Sequence, residues 1–391
     1  MIRVYLDAKR AFLNHRGLGN YSRDVIRLLT SFAPENDYYL LTPRIGNIQV
    51  ASPATGCIVT PTGLWRLFPS LWRSYGCTRT IKHIEKQYQG KVTETSGTQS
   101  VFWGLSGEVP FGIGKTGCKV MVTMHDAIFM RYPELYSPGY RKLFARKVQY
   151  ACDVADRIIA ISEQTKADLI TFFHADEKKI QVVYQGCSHI FRDYATQTGM
   201  LSNQTNTVPQ SAAVRKRYEL PERYVLDVGA MEPRKNMLNL IRGMASAGID
   251  VPLVAIGGHS DYAEVCRKEA ERSGVKLLLR HNVDFKDFPA IYAGAMVLCY
   301  PSIFEGFGIP ILEAMCVGTP VLTSTGSCFK ETGGDAAMYA APDNPQQIGK
   351  QLYTILTNED LRKEMRRKGF AQAGLFTDEA VAGNLRKELI F

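Results

Sequence analysis

No run in this 391-residue sequence approaches the ~18 to 20 consecutive apolar residues that cross a bilayer as a helix. A membrane-spanning helix is therefore not expected. The nine cysteines form no C-x-x-C pair, so neither a zinc ribbon nor a dithiol redox motif is present. An odd number of scattered cysteines fits reduced thiols in the cytoplasm. No D-x-D triplet occurs, so that spacing of metal-chelating carboxylates is missing. No signal-peptide pattern is visible either, because MIRVYLDAKR opens directly on a strand-like run.

What is present is globular. Apolar residues make up 45% and charged residues 22%, and the length suits two domains of ordinary size. The formal charge of +9 calls for an acidic partner: nucleic acid, anionic lipid or a phosphorylated substrate. No recognised nucleic-acid motif accompanies the charge, which puts nucleic acid below the other two.

Strand-like and helix-like pieces alternate nearly throughout. IRVYL opens the chain, and Tyr21, Val25, Leu28, Leu29 and Phe32 then recur at helical spacing. Strand candidates follow near 37–42, 56–60, 118–124 and 155–162, and Ser162 suits a helix N-cap. RYVLDVG, VPLVAIGG, VKLLL, MVLCY and PVLTS repeat the habit in the second half. Such alternation predicts an α/β fold with parallel sheets covered on both faces. The break lies near 186–217, where a Ser-, Thr-, Gln- and Asn-rich stretch shows no periodic apolar face and reads as a linker with a mobile loop.

The richest stretch is YPSIFEGFGIPILEAMCVGTPVLTS, residues 300–324. Glu305 falls in a turn and Glu313 on a helix eight positions later. Pro310 suits the first helical turn, and Gly318 suits a C′ glycine. Gly306 and Gly308 let a ligand approach the backbone, and the helix start offers N–H groups to an anion. The unit reads as a carboxylate-edged pocket for a phosphate-bearing, hydroxyl-rich ligand. Its bland counterpart is an amphipathic helix with a solvated Glu.

EGFGIPILEAM resembles the EX7E motif of retaining glycosyltransferases of family 4, the group 1 glycosyltransferases with the GT-B fold. DVGAMEPRKN is similar to that family's strand–turn–helix with an Arg-Lys pair, and TMHDAIFMRYPELY to its His-Asp segment. ISEQTKADLI and GDAAMYAAPDNPQQI match as well, in family order. The resemblance implies two Rossmann-like, doubly wound domains facing a cleft. Residues 1–190 would bind acceptor, 191–216 would be linker, 217–375 would bind the nucleotide-sugar, and 376–391 would be a helix crossing back to the first domain.

It also implies the chemistry. Glu305 would lie near the anomeric carbon of the donor sugar, and Glu313 would accept bonds from the ribose hydroxyls. Arg234 and Lys235 would hold the diphosphate. Two cations at a helix start oppose the dipole unless an anion lies between them, and a diphosphate supplies one. His125, with Asp126 beside it, ends a strand and would contact the donor sugar; otherwise it is a loop histidine beside a capping aspartate. Gly306, Phe307 and Gly308 would complete the donor pocket, with Glu331 in the loop after strand 321–323. Gly17 and Gly19 precede the first long helix and offer either close approach to phosphate or a flexible turn. GIGKT at 112–116 imitates a P-loop, but Val109 stands where that pattern requires glycine.

The expected activity is retaining glycosyl transfer from a nucleotide-sugar, with a lean to GDP-mannose as in bacterial mannosyltransferases of polysaccharide assembly. The acceptor would be a glycan or lipid-linked saccharide. A catalytically silent sugar-nucleotide-binding subunit and a GT-B epimerase are the alternatives. No cofactor, metal or nucleic acid is expected. The location would be cytoplasmic, with peripheral contact at the inner face of an anionic membrane. GLWRLFPSLWRSY, residues 63–75, holds two of the three tryptophans beside several cations. It fits either interfacial membrane contact or a buried helix of the first domain.

Overall fold

The computed structural model describes residues 1–89, 99–200 and 209–391. It divides into two units, Met1–Gln185 with Asp378–Phe391, and Gly186–Thr377. The first is built on seven strands: β1 Arg3–Asp7, β2 Asp37–Leu41, β3 Gly56–Val59, β4 Ser100–Gly104, β5 Lys119–Met124, β6 Arg157–Ala160 and β7 Ile180–Val182. They lie in the order β3-β2-β1-β4-β5-β6-β7, and every neighbouring pair is parallel. Central strands β1 (RVYLD) and β4 (SVFWG) are buried along their whole length, while edge strand β3 (GCIV) is largely exposed. A parallel strand covered on both faces has to be apolar on both.

The second unit has β8 Val225–Val228, β9 Leu253–Ile256, β10 Leu277–Arg280, β11 Val297–Tyr300, β12 Val321–Ser324 and β13 Ala337–Ala340. Their order is β10-β9-β8-β11-β12-β13, again parallel throughout. Each sheet therefore reverses its winding once, at β1/β4 and at β8/β11. Loops leaving the carboxyl ends of such a strand pair turn opposite ways and open a crevice, where open α/β sheets bind ligands. Helix Met237–Ser246 packs on helix Pro345–Thr357 through Gly243 and Gly349; a Cβ on Gly349 would lie 2.1 Å from the Gly243 carbonyl oxygen. That contact seats the helix after β8 directly on the core.

The expected linker changes. Helix His189–Gln197 occupies part of the stretch taken as linker. Its Phe191, Tyr194 and Ala195 form an apolar stripe at i, i+3 and i+4, and Phe191 packs edge-on against Tyr292 with ring centres 5.4 Å apart. Polar composition hid that short stripe. The expected mobile loop falls partly on residues 201–208, outside the described residues. Helix Asp378–Glu388 packs on helix Gly17–Phe32, with Arg27 Nη1 2.6 Å from Asp378 Oδ2.

Segment 63–75 does not present one continuous face. A short 3-10 stretch, Gly63–Leu67, is followed by helix Pro69–Leu71 and a wide π-type turn, Trp72–Gly76. The change of winding rotates Trp72 into the core, where both Trp65 and Trp72 pack over Gly76. GIGKT is a single 3-10 turn, Ile113–Lys115, after Gly112 at φ +77°. No helix among the described residues is long and apolar enough to cross a membrane.

Candidate active site

The second unit gathers its charge at the β8/β11 reversal. After β8 the chain makes a 3-10 turn, Pro233–Lys235, and Asn236 then takes a left-handed conformation (φ +65°) to start the next helix. After β11 it runs through Phe304 and Glu305 to Gly308, whose φ of +90° turns it into helix Ile309–Cys316. Glu305 Oε1 lies 2.7 Å from Arg234 Nη1 and 2.7 Å from Lys235 Nζ. The anion between the two cations is thus a carboxylate of this chain. Burial pushes the Glu305 carboxyl up, but Lys235 and Arg234 outweigh it and hold it below its ordinary value. Burial likewise opposes charge on Lys235, and Tyr300 and Glu305 overcome it. Lys235 donates to Tyr300 Oη at 2.8 Å and to Glu305; an ammonium has a third N–H for a ligand oxygen.

Neighbouring loops fix this cluster. Asn236 Nδ2 donates to the Pro301 and Pro342 carbonyls at 3.0 and 2.7 Å, joining the loops after β8, β11 and β13. Ser327, left-handed at φ +50°, donates through Oγ to the Glu305 carbonyl and accepts from the Glu305 N–H. Strained non-glycine residues that knit loops together concentrate at functional sites. Arg234 donates to the Phe304 carbonyl at 2.6 Å and to Glu232 Oε1 at 2.5 Å.

Glu313 lies on helix Ile309–Cys316 and accepts from Tyr292 Oη at 2.7 Å. Burial pushes its carboxyl up to about 7, although the Tyr292 bond draws it down. Asp227 on β8 is the second buried carboxyl pushed up to about 7 by burial, which Lys235 only partly offsets. The ring of Phe307 is buried against Phe376 and its carbonyl accepts from Thr332. Gly306 lies in the bend between Glu305 and Gly308, and Glu331 is half-buried on the short helix Phe329–Gly333.

In the first unit, His125 and Asp126 follow β5. His125 Nε2 donates to the Leu105 carbonyl at 2.9 Å, because a carbonyl can only accept. Burial lowers its pKa to about 4, so the ring is neutral at physiological pH and Nδ1 is an acceptor. Tyr21 meets the ring edge-on, with centres 4.6 Å apart, which brings the start of helix Gly17–Phe32 beside His125. Asp126 accepts from the Ile128 N–H at 3.1 Å, as a capping residue does. Gly17 and Gly19 lie inside the first helical turn and not in a turn before it. A Cβ on Gly19 would fall 1.8 Å from the Asn14 carbonyl oxygen, so this glycine serves internal packing, whereas Gly17 is open.

Sequence reasoning missed Glu232, Asn236, Tyr300 and Ser327. Glu232 and Asn236 stand inside the Arg-Lys motif and carried a local signal. Tyr300 and Ser327 join the site through strand order alone.

A family model described as glycosyl transferases group 1 matches residues 210–372, and one described as glycosyltransferase family 4 matches residues 16–189. The chain belongs to these glycosyltransferases. It is 28% identical over 272 residues to O-antigen chain mannosyltransferase B of Escherichia coli, covering 67% of each chain. It is also 28% identical over 237 residues to O-antigen chain mannosyltransferase RfbU of Salmonella typhimurium, covering 60% of each. This glycosyltransferase thus spans two thirds of the first relative and less than that of the second. Among solved structures, a glycosyltransferase from Rickettsia africae superposes with a TM-score of 0.70 at 14% identity, over 99% of this chain and 97% of that one. Anabaena HepE in complex with UDP and glucose gives 0.71 at 15% identity, over 100% and 99%. These likenesses concern the fold, which is GT-B: two α/β units, each on a parallel sheet.

Proposed function

We propose that this glycosyltransferase moves a mannosyl residue from a nucleotide-sugar, GDP-mannose, to a glycan or lipid-linked saccharide, with retention at the anomeric carbon. It acts in the cytoplasm, peripherally at the inner face of the membrane, in polysaccharide assembly. The observation that carries this is the Arg234–Glu305–Lys235 cluster at the β8/β11 reversal. Two side-chain cations at a strand-end crevice suit a diphosphate, and a carboxylate beside them suits a sugar that becomes positive. The names of the mannosyltransferase relatives support the choice of sugar.

In this mechanism the anomeric carbon–oxygen bond to the diphosphate breaks, and a bond to the acceptor oxygen forms on the same face. The acceptor proton passes to the departing phosphate oxygen. Arg234 and Lys235 stabilise the charge growing on the diphosphate, so side-chain cations do work that a metal ion does elsewhere. Glu305 stabilises the oxocarbenium-like sugar and forms no covalent bond to it. Glu313 receives ribose hydroxyls, and His125 Nδ1 accepts from a hydroxyl of the donor sugar. The backbones of Gly306, Phe307 and Gly308 face the donor.

A panel of nucleotide-sugars tests the proposal. A donor at 100 times its dissociation constant should stabilise the protein by about 2.7 kcal/mol. The same donor should be hydrolysed slowly without acceptor, releasing nucleoside diphosphate. Stabilisation by none of the panel, together with no hydrolysis, would refute the assignment.

A further inference from the structure

The segment that turns its tryptophans inward turns other apolar side chains outward. Leu64 and Leu67 are 81% and 71% exposed, and Phe68, Leu71 and Tyr75 are each more than half exposed. Five large apolar side chains within twelve residues are more than the scattered exposure of an ordinary surface. The patch is held firmly from beneath. Trp65 and Trp72 pack over Gly76, and Arg73 donates to Asp7 Oδ2 at 2.6 Å and to Glu108 Oε2 at 2.7 Å. It continues past its own segment, because Tyr75 stacks on Phe111 with ring centres 5.3 Å apart.

The helix that follows, Cys77–Gln89, sorts its charges by face. Arg79, Lys82, His83 and Lys86 recur at i, i+3, i+4 and i+7, and all are exposed. Glu85, the acid in this run, is turned inward. It accepts from Tyr5 Oη at 2.6 Å and Ser100 Oγ at 2.9 Å and pairs with Arg3. Among the described residues, no ion pair engages Arg66, Arg79, Lys82 or Lys86. An outward apolar cluster thus adjoins an outward basic stripe whose acid has been withdrawn.

We infer that this face, the outer side of Gly63–Gly76 with the basic stripe of helix Cys77–Gln89, seats on an anionic lipid bilayer. Leu64, Leu67, Phe68 and Leu71 enter the interfacial region while the cations meet the headgroups. A second copy of this chain fits less well, since a two-fold interface sets identical patches against each other and would oppose the same basic stripes. The inference rests on the peripheral location proposed above and uses none of the residues assigned to transfer.

The test is co-sedimentation of the full chain with phosphatidylcholine vesicles, with and without phosphatidylglycerol. Binding should require the anionic lipid and weaken as salt shortens the reach of surface charge, about 8 Å at physiological ionic strength. Lys82→Gln with Lys86→Gln should lower partition about 25-fold, at about five-fold for each cation near an anionic surface. Leu67→Ser with Phe68→Ser should lower it as well. Donor hydrolysis in vesicle-free buffer should stay unchanged in both variants, which separates this inference from the proposed reaction. Equal partition onto neutral and anionic vesicles, or unchanged partition in both double variants, would overturn it. A concentration-dependent dimer dissolved by the Leu67 and Phe68 changes would assign the face to self-association instead.

Discussion

Glu313→Gln should make the second unit's stability less dependent on pH. The Glu313 carboxyl is buried, and burial pushes it from an ordinary 4.5 up to about 7. Between those values the folded chain holds a proton that the unfolded chain has lost. Stability therefore falls as pH rises through this window. The interval is about 2.5 pH units, or about 3 kcal/mol at 1.36 kcal/mol per unit. Glutamine keeps the Tyr292 bond through its carbonyl oxygen but cannot ionise. Its amide nitrogen brings a penalty of its own, about 1–3 kcal/mol if unpaired, yet that penalty is the same at every pH. The measurement is therefore a difference of differences: wild type against variant, at pH 4.5 and again near pH 8. The variant should gain about 3 kcal/mol relative to wild type over that range. The chain supplies its own control, because its three tryptophans, Trp65, Trp72 and Trp103, all lie in the first unit. Urea unfolding followed by tryptophan fluorescence reports that unit, whereas far-ultraviolet circular dichroism reports both. The effect should appear in the second signal and not the first. An identical wild type–variant difference at both pH values would refute the claim that Glu313 ionises against its burial.

Two further outcomes are expected. Glu305→Gln should lower turnover at least ~100-fold in steady-state kinetics, the scale of losing one preorganised electrostatic group, while nucleoside diphosphate binds more tightly by calorimetry. Phe191→Ala should destabilise the second unit by about 3–5 kcal/mol in denaturant titrations, as loss of a buried aromatic does; a change within about 0.5 kcal/mol is what a solvated linker would give.

Much of the fold was legible because apolar runs bounded by turn residues mark buried parallel strands, as in RVYLD and VLDV. Strand β4 was not. It follows the polar run TETSGTQ, and SVFWG is buried on both faces, so no alternation announces it. Strand β7 has three residues, too short for any period. Trp72 turns inward while Leu71 and Tyr75 stay exposed, a sorting no single helical phase shows, because the segment changes winding twice. At the site, the family motif drew attention to Glu305, Arg234 and Lys235. Their pairing was not legible, since residues 70 positions apart meet only because β8 and β11 are neighbours. An external diphosphate was expected between the cations, where the chain has put its own carboxylate.

That carboxylate explains why affinity and turnover should separate in Glu305→Gln. Arg234 and Lys235 carry two positive charges, and Glu232 and Glu305 two negative ones, all joined by contacts of 2.5 to 2.7 Å. The cluster is formally neutral, so in the proposed site a diphosphate would be held through directed N–H groups and not through net charge. Glu305 remains ionised because the cations hold its carboxyl low. In the proposed ground state it would therefore repel the diphosphate. As the sugar–phosphate bond breaks, negative charge gathers on the diphosphate and positive charge on the sugar. A site with cations and an anion side by side complements that separated pair better than it complements the intact donor. Only a difference of this kind accelerates the chemical step. Removing the charge should thus release the cations for the product diphosphate and withdraw support from the transition state. A variant that lost affinity and turnover together would have lost the scaffold of Arg234 and Lys235, and the charge-separation argument would fail with it.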